Sequence, residues 1–179
     1  MTSSAENPGT FGLLCALPGE LGSWAGQGDL VSAEGGLELR RVLVGDDLLI
    51  TCVGGVGKVA AARAAEALVQ SGAHDGLFIV GTCGSLSREL QAGALVHCSL
   101  AVQADLGVRA GRKSSPDSAL MAAWEAVAKG SQAVFLTSDR AVFNPWRRFW
   151  TRRNQPGPCV ADMETAAAAA CAEAWGVPW

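Results

Sequence analysis

The sequence is short of several things that would narrow its role at once. It has only two histidines in 179 residues, His74 and His97, and they stand far apart. No ligand-spaced cluster surrounds them, so no metal site is expected, and no cofactor is implied. None of the six cysteines forms a Cys-x-x-Cys pair, and four sit in apolar strand-like runs, as buried free thiols do. Reduced thiols in a cytoplasmic protein are the expectation, and a disulfide framework is not. Charge is scarce: 17% of residues are charged and the net charge is −3, which argues against a nucleic-acid partner held by bulk electrostatics. No apolar run reaches the ~20 residues of a membrane span. Residues 1–10 are polar, without a basic stretch and apolar core, so a disordered tail is expected there rather than a signal peptide. Residues 11–179 are expected to form one domain with a substantial core.

What is present is apolar and rich in alanine and glycine, with 22 glycines. Phe11–Leu17 reads as a buried strand closed by Pro18-Gly19. Leu37–Val44 and Leu48–Val53 read as a hairpin around Gly45-Asp46-Asp47. A glycine turn, Gly54 to Gly57, leads into a helix over Lys58–Gln70. Strands are expected at Gly76–Thr82, Ala94–Val102, Ala133–Thr137 and Pro158–Met163, and helices at Pro116–Lys129, Pro145–Arg153 and Glu164–Trp175. Gly176–Trp179 reads as the approach to a further strand. Strands alternate with helices, and several strands are apolar on both faces. That pattern means a mainly parallel or mixed sheet covered by helices. In such sheets the ligand usually sits at the carboxyl ends of strands. Glu20, Gly54–Gly57, Thr82–Ser85, Ser138-Asp139 and Met163-Glu164 all fall just after strands.

Single motifs say little. Gly54-Gly55-Val56-Gly57-Lys58 invites a phosphate-loop reading, but Cys52 stands where that loop needs its first glycine and Val59 where it needs Ser or Thr. A tight turn into a helix, or a close approach of backbone to ligand, remains. Gly81-Thr82-Cys83-Gly84-Ser85 follows a buried strand and reads as a structural turn or an anion or sugar contact; Cys83 has no base beside it in sequence. Trp146, Phe149 and Trp150 lie at i, i+3 and i+4, so the basic stretch around them is expected to bury an aromatic face and leave its arginines wet. Glu20 alone is a helix-start carboxylate, and Asp162 a candidate N-cap.

Val160-Ala161-Asp162-Met163-Glu164-Thr165, followed by Ala166 to Ala170, reads as a buried strand turning into a helix, with Glu164 at the turn. Together with FGLLCALPGEL, LLITCVGGVGKVAAARAAEAL, FIVGTCGSLSRELQAGALV and FLTSD, it gives five segments in order from Phe11 to Trp179. These resemble the nucleoside phosphorylase and nucleosidase superfamily: purine nucleoside phosphorylases, methylthioadenosine/S-adenosylhomocysteine nucleosidases, futalosine hydrolases and a hopanoid-associated nucleosidase-like branch. The resemblance implies an α/β fold, a three-layer αβα sandwich around a central mixed sheet. It implies cleavage of a purine nucleoside's N-glycosidic bond, with a small-molecule nucleoside as ligand and no nucleic acid. By matching positions, Glu164 grips the ribose hydroxyls and Met163 packs on the sugar. Glu20 matches the carboxylate that activates water. Thr82 matches the hydroxyl residue near the nucleophile or phosphate, and Ala141 and Val142 fall near the base pocket. The family builds pockets across subunits, so a homodimer or higher oligomer is implied.

Phosphorolysis needs cationic groups, with phosphate as co-substrate. The phosphorylases place Arg where this chain has Pro18-Gly19 and Ile79-Val80, which favours hydrolysis of a methylthioadenosine-, S-adenosylhomocysteine- or futalosine-like substrate. In the family, the Val-Pro segment enters a strand of the Arg-Ala-x-Ser-Asp kind, whose Asp protonates the leaving base, and then a final helix. This sequence ends at Trp179, so the expected fold lacks that strand and helix. A catalytically impaired nucleoside binder is therefore the alternative beside a phosphorylase.

Overall fold

The computed structural model describes residues 8–32, 36–107, 112–153, 155 and 157–179. Most of the tail expected over residues 1–10 lies outside them. Thr10 already pairs, as the first residue of β1 (Thr10–Cys15).

Hydrogen bonding divides the strands into two five-stranded mixed sheets where one central sheet was expected. The first runs β2 (Asp29–Ser32), β3 (Glu38–Val44), β4 (Asp47–Val53), β1, β5 (Gly76–Ile79). The β3–β4 hairpin forms around the Gly45 turn as its sequence predicts, and β1 lies parallel to both β4 and β5. The second runs β6 (Gly84–Ser85), β10 (Cys159–Asp162), β9 (Ser131–Thr137), β7 (Val96–Gln103), β8 (Lys113–Ser114). Its central strands β10, β9 and β7 are parallel, as runs apolar on both faces require. The break between the sheets falls at the Val80–Cys83 loop, which turns to meet Glu20 instead of extending β5.

The largest core lies between the first sheet and two alanine-rich helices, α1 (Lys58–Gln70) and α4 (Thr165–Ala174). Ala61, Ala64 and Ala65 of α1 and Ala168 and Ala172 of α4 are fully buried with Leu14, Leu39, Ile50, Leu68 and Leu77. Small side chains let helices and sheet approach closely, so no further atom is easily admitted. A third helix, α2 (Ser118–Val127), is capped by Asp117, whose Oδ1 accepts the N–H groups of Ala119 and Leu120 at 2.9 and 3.0 Å. Trp124 of α2 stacks near Phe78 of β5. Residues 177–179 run along β5, where Leu77 donates its N–H to the Pro178 carbonyl at 2.8 Å.

The fourth helix, α3 (Pro145–Arg152), corrects an expectation. Trp146, Phe149 and Trp150 are exposed, while Arg148 and Arg152 reach the backbone carbonyls of Ser85 and Leu86. The helix turns its Arg148 and Arg152 side to the backbone of β6 and Leu86, and the aromatic stripe faces away from it.

Gly54 tests the packing. A Cβ there would sit 2.6 Å from Ala64 Cβ and 3.0 Å from Leu14 Cδ1. Gly54→Ala is expected to destabilise the protein by about 1–3 kcal/mol in urea unfolding. An unchanged midpoint would show that the α1–β1 contact is looser than described.

Candidate active site

The site forms at the seam of the two sheets. A 3₁₀ turn, Pro18–Glu20, follows β1 and brings the Glu20 carboxylate back over its own strand end. Its Oε2 accepts the N–H groups of Ala16 and Leu17, both at 3.0 Å. Its Oε1 accepts the Thr82 N–H and the Thr82 hydroxyl, both at 2.8 Å. Gly81 permits this approach, because a Cβ there would lie 3.2 Å from Oε1. Burial raises the Glu20 pKa, but these hydrogen bonds outweigh it and hold the carboxyl below its ordinary value.

Glu164 comes from the other sheet. It is the N-cap residue of α4, just after β10, and Asp162 ties the turn together: Asp162 Oδ2 accepts the Thr165 N–H at 2.7 Å, and Oδ1 accepts the Thr137 hydroxyl at 2.5 Å. The N-cap position of α4 is Glu164 rather than the expected Asp162, which lies two residues before it and accepts the N–H of the first helical residue, Thr165. Glu164 Oε1 accepts the Gly57 N–H at 2.7 Å, and Oε2 the Met163 N–H at 3.2 Å. Gly57 can present its N–H there because its φ of +99° suits glycine. Desolvation raises the Glu164 pKa above its ordinary value; the Asp162 and Glu20 charges add to the rise, and the two N–H bonds oppose it.

Glu20, Thr82 and Glu164 line one cavity of about 410 Å³. Its far wall is apolar, with Leu77, Phe78, Leu120 and Trp124. Its charged lining is Glu20, Asp162 and Glu164; no Lys or Arg lines it among the described residues. His97 lines it too, with Nε2 2.7 Å from the Ala128 carbonyl oxygen. Cys83 is exposed at its edge.

Three sequence candidates stand elsewhere. Met163 is half-buried and touches the site through its N–H bond to Glu164, without lining the cavity. Ala141 is exposed. Val142 packs with Leu136 and Val102 and lines a second cleft with Asp105, Asp139 and Arg147. The loop after β9 turns toward that cleft, which takes both residues off the main cavity. Sequence reasoning missed Gly57 as a donor to Glu164, although a glycine at a helix start was the available signal. It also missed Lys58, whose Nζ lies 2.7 Å from Asp105 Oδ1 and 3.4 Å from Asp139 Oδ2. Among the described residues, no group of three or more His, Cys, Asp or Glu is placed to hold a metal ion.

The family model described as the phosphorylase superfamily matches residues 10–179. A 5′-methylthioadenosine/S-adenosylhomocysteine nucleosidase of Shewanella halifaxensis is 30% identical over 76% of this chain and 66% of its own length. The chain therefore spans about two thirds, 66%, of the length of the curated relatives it matches. Among solved structures, an S-adenosylhomocysteine nucleosidase from Streptococcus pyogenes, in complex with 5-methylthiotubericidin, superposes with a TM-score of 0.87 at 22% identity. That match covers 98% of this chain and 82% of the other. Futalosine hydrolase of Helicobacter pylori superposes at 0.84 with 19% identity, over 95% and 81% of the two chains. The expected α/β fold is thus present.

The pKa of Glu164 has a signed consequence. Its folded value is raised, so its contribution to stability is full below the unfolded value and is lost as pH rises through the folded one. Glu164→Gln removes that loss. The stability of Glu164→Gln minus that of wild type is expected to grow as pH rises above the ordinary glutamate range in urea unfolding. A difference that stays flat with pH would refute the raised pKa.

Proposed function

The chain belongs to the phosphorylase superfamily, and on that premise we propose that it hydrolyses the N-glycosidic bond of a purine nucleoside. The observation that carries this reading is the charge of the cavity. Glu20, Asp162 and Glu164 line it, with no Lys or Arg among the described residues. Breaking the C1′–N bond builds positive charge on the ribose, and fixed carboxylates stabilise it. The same lining repels a phosphate dianion, which needs cationic partners. Hydrolysis is therefore favoured over phosphorolysis.

In this reading, residues 11–179 act as one domain and Glu164 accepts hydrogen bonds from the ribose hydroxyls. Gly57 and Met163 fix its orientation, and each carboxylate oxygen keeps a second lone pair for a ligand. Glu20 takes the proton from the attacking water. Each of its oxygens already accepts two hydrogen bonds, so one must be released. The Thr82 hydroxyl is the one able to rotate, and water then replaces it on Oε1 while the main-chain donors hold the carboxylate still. Water adds to C1′, its proton passes to Glu20, and the base leaves with a proton from solvent. The apolar wall at Leu77, Phe78, Leu120 and Trp124 suits an uncharged base or thioether substituent, as in the methylthioadenosine named for the relatives.

One observation favours a second reading, nucleoside binding without turnover. Of the carboxylates lining the cavity, Glu20 is held ionised, Asp162 is engaged by Thr137 and Thr165, and Glu164, whose pKa is raised, is committed in this reading to the ribose hydroxyls, which leaves no separate acid for the leaving base. Loss of such an acid costs about 10²–10⁴ in rate.

Free base released from methylthioadenosine, S-adenosylhomocysteine, adenosine, inosine and futalosine, with and without phosphate, separates the readings. Release without phosphate is expected, and Glu20→Gln is expected to lower kcat/KM by about 10²–10⁴. Glu164→Gln should abolish nucleoside binding or turnover. Release only with phosphate would show a phosphorylase, and saturable binding without release would establish the second reading.

Thr82 gives a separate test. Its side-chain hydrogen bond helps hold the Glu20 pKa down. Thr82→Val is therefore expected to raise that pKa and move the acid limb of the kcat/KM profile to higher pH. A limb that stays in place would mean that Glu20 is not the titrating group.

A further inference from the structure

Helix α3 presents the opposite of a core-packed face. Arg148 Nη2 lies 2.7 Å from the Ser85 carbonyl oxygen, and Arg152 Nη1 lies 3.4 Å from that of Leu86. The aromatics turn outward: Phe143, Trp146, Phe149 and Trp150 are 86%, 74%, 61% and 56% exposed. Four large aromatics within eight residues make a patch, not a scatter of single side chains. The charge of this segment is equally uneven. From Arg140 to Ala161 the chain has Arg140, Arg147, Arg148, Arg152 and Arg153 and not one Asp or Glu. The other nine of its 14 basic residues share the rest of the chain with all 17 acidic ones. A basic aromatic face thus stands on an otherwise acidic protein.

We propose that α3 and the turn before it dock on an anionic lipid bilayer. Tryptophan and phenylalanine gain most at the headgroup level, and arginines beside them gain from lipid phosphates. Arg153 already lies 4.3 Å over the Trp150 ring, so that charge enters the interface together with an aromatic plane. The guanidinium groups of Arg140 and Arg147 have no ion pair among the described residues. None of the described helices is long and apolar enough to cross a membrane, so the contact is with a surface.

Two other partners fit less well. A second copy meeting this face across a two-fold axis would set Arg140, Arg147 and Arg153 against their own copies, with no acidic residue between Arg140 and Ala161 to pair them. Single-stranded RNA needs stacking aromatics along a basic groove. Here the aromatics project from a helix, and two arginines are engaged by the Ser85 and Leu86 carbonyls.

Vesicle flotation tests the proposal, using phosphatidylcholine alone and phosphatidylcholine with about a quarter phosphatidylglycerol. The full chain is expected to float with the anionic vesicles at least about tenfold more than with the neutral ones, and less as salt rises from ~0.1 M to ~0.5 M. Tryptophan emission should shift to the blue on binding. Trp146→Ser with Phe149→Ser is expected to abolish flotation, and Arg147→Gln with Arg153→Gln to weaken it about tenfold. All four positions lie outside the proposed active site, so base release from a soluble nucleoside should be unchanged, and near-ultraviolet circular dichroism should confirm a native fold. No flotation by folded wild type would overturn the proposal. So would a dimer that dissociates in Trp146→Ser with Phe149→Ser, which would give the face to a second copy. Tighter binding to a single-stranded RNA oligonucleotide than to anionic vesicles would give it to nucleic acid.

Discussion

The site depends on one buried contact, the hydrogen bond from Thr137 to Asp162. These residues end the parallel strands β9 and β10 and are partners in register. Thr137 is fully buried, and its hydroxyl donates to Asp162 while accepting the Ala166 N–H at 3.0 Å. Asp162 uses its second oxygen on Thr165. Two strand ends and the first turn of α4 are thus tied by one hydroxyl and one carboxylate. Neither can be removed without stranding a buried donor or acceptor, at a cost of about 1–3 kcal/mol. Glu164 lies inside this knot, and its backbone has nowhere else to go.

With that geometry fixed, the two sheets meet through side chains and not through strand pairing. Glu164 belongs to the second sheet and takes the Gly57 N–H from the first, across 107 residues of sequence. Glu20 belongs to the first sheet and takes Thr82 from the loop that leads to the second. Both joints place a carboxylate where two backbones converge. They differ in tuning. Glu20 has four donors, which hold it ionised despite burial. Glu164 has two donors and two acidic neighbours, so its charge is less comfortable in the free protein. A ligand bringing hydroxyl donors, or positive charge, would relieve Glu164 more than Glu20. The less satisfied group is the one proposed to hold substrate, and the better satisfied one is held ionised.

Much of this was legible in the sequence wherever local signals agreed. The helix expected over Lys58–Gln70 is found with those bounds, because a glycine turn opens it and an alanine run sustains it. The β3–β4 hairpin follows from its Gly-Asp-Asp turn. The short strands β2, β6 and β8 were not legible, because two to four residues carry no period and exist only through their partners. The facing of α3 was not legible either. Spacing shows that an aromatic stripe exists, but the side it turns to depends on carbonyls some sixty residues away, at Ser85 and Leu86. The convergence of Glu20, Thr82 and Glu164 could be expected only from the resemblance, since no local pattern joins three loops. The same resemblance placed Ala141 and Val142 by alignment through a loop, where backbone direction is least constrained.

Lys58 shows how the acidity of the cavity is preserved. It directly follows the residue that donates to Glu164, so its ammonium could in principle turn toward that carboxylate. It turns the other way. Asp105 holds it at 2.7 Å and Asp139 at 3.4 Å, and the hydrogen bond to Asp105 is the main reason its pKa is raised. Asp139 also donates its backbone N–H to Asp105 at 2.9 Å, which sets the two acids as a pair around the lysine. Lys58 is mostly buried and Asp139 mostly exposed, so the pair closes one side of the second cleft rather than filling the first. The same turn therefore does two things. Its Gly57 amide points into the cavity and orients Glu164, while its lysine is drawn out of the cavity by two acids. A cation beside Glu164 would neutralise the charge that the ribose is proposed to need, and would offer phosphate a partner. Drawing Lys58 aside leaves the lining acidic, and it is on that lining that the proposed preference for hydrolysis over phosphorolysis rests.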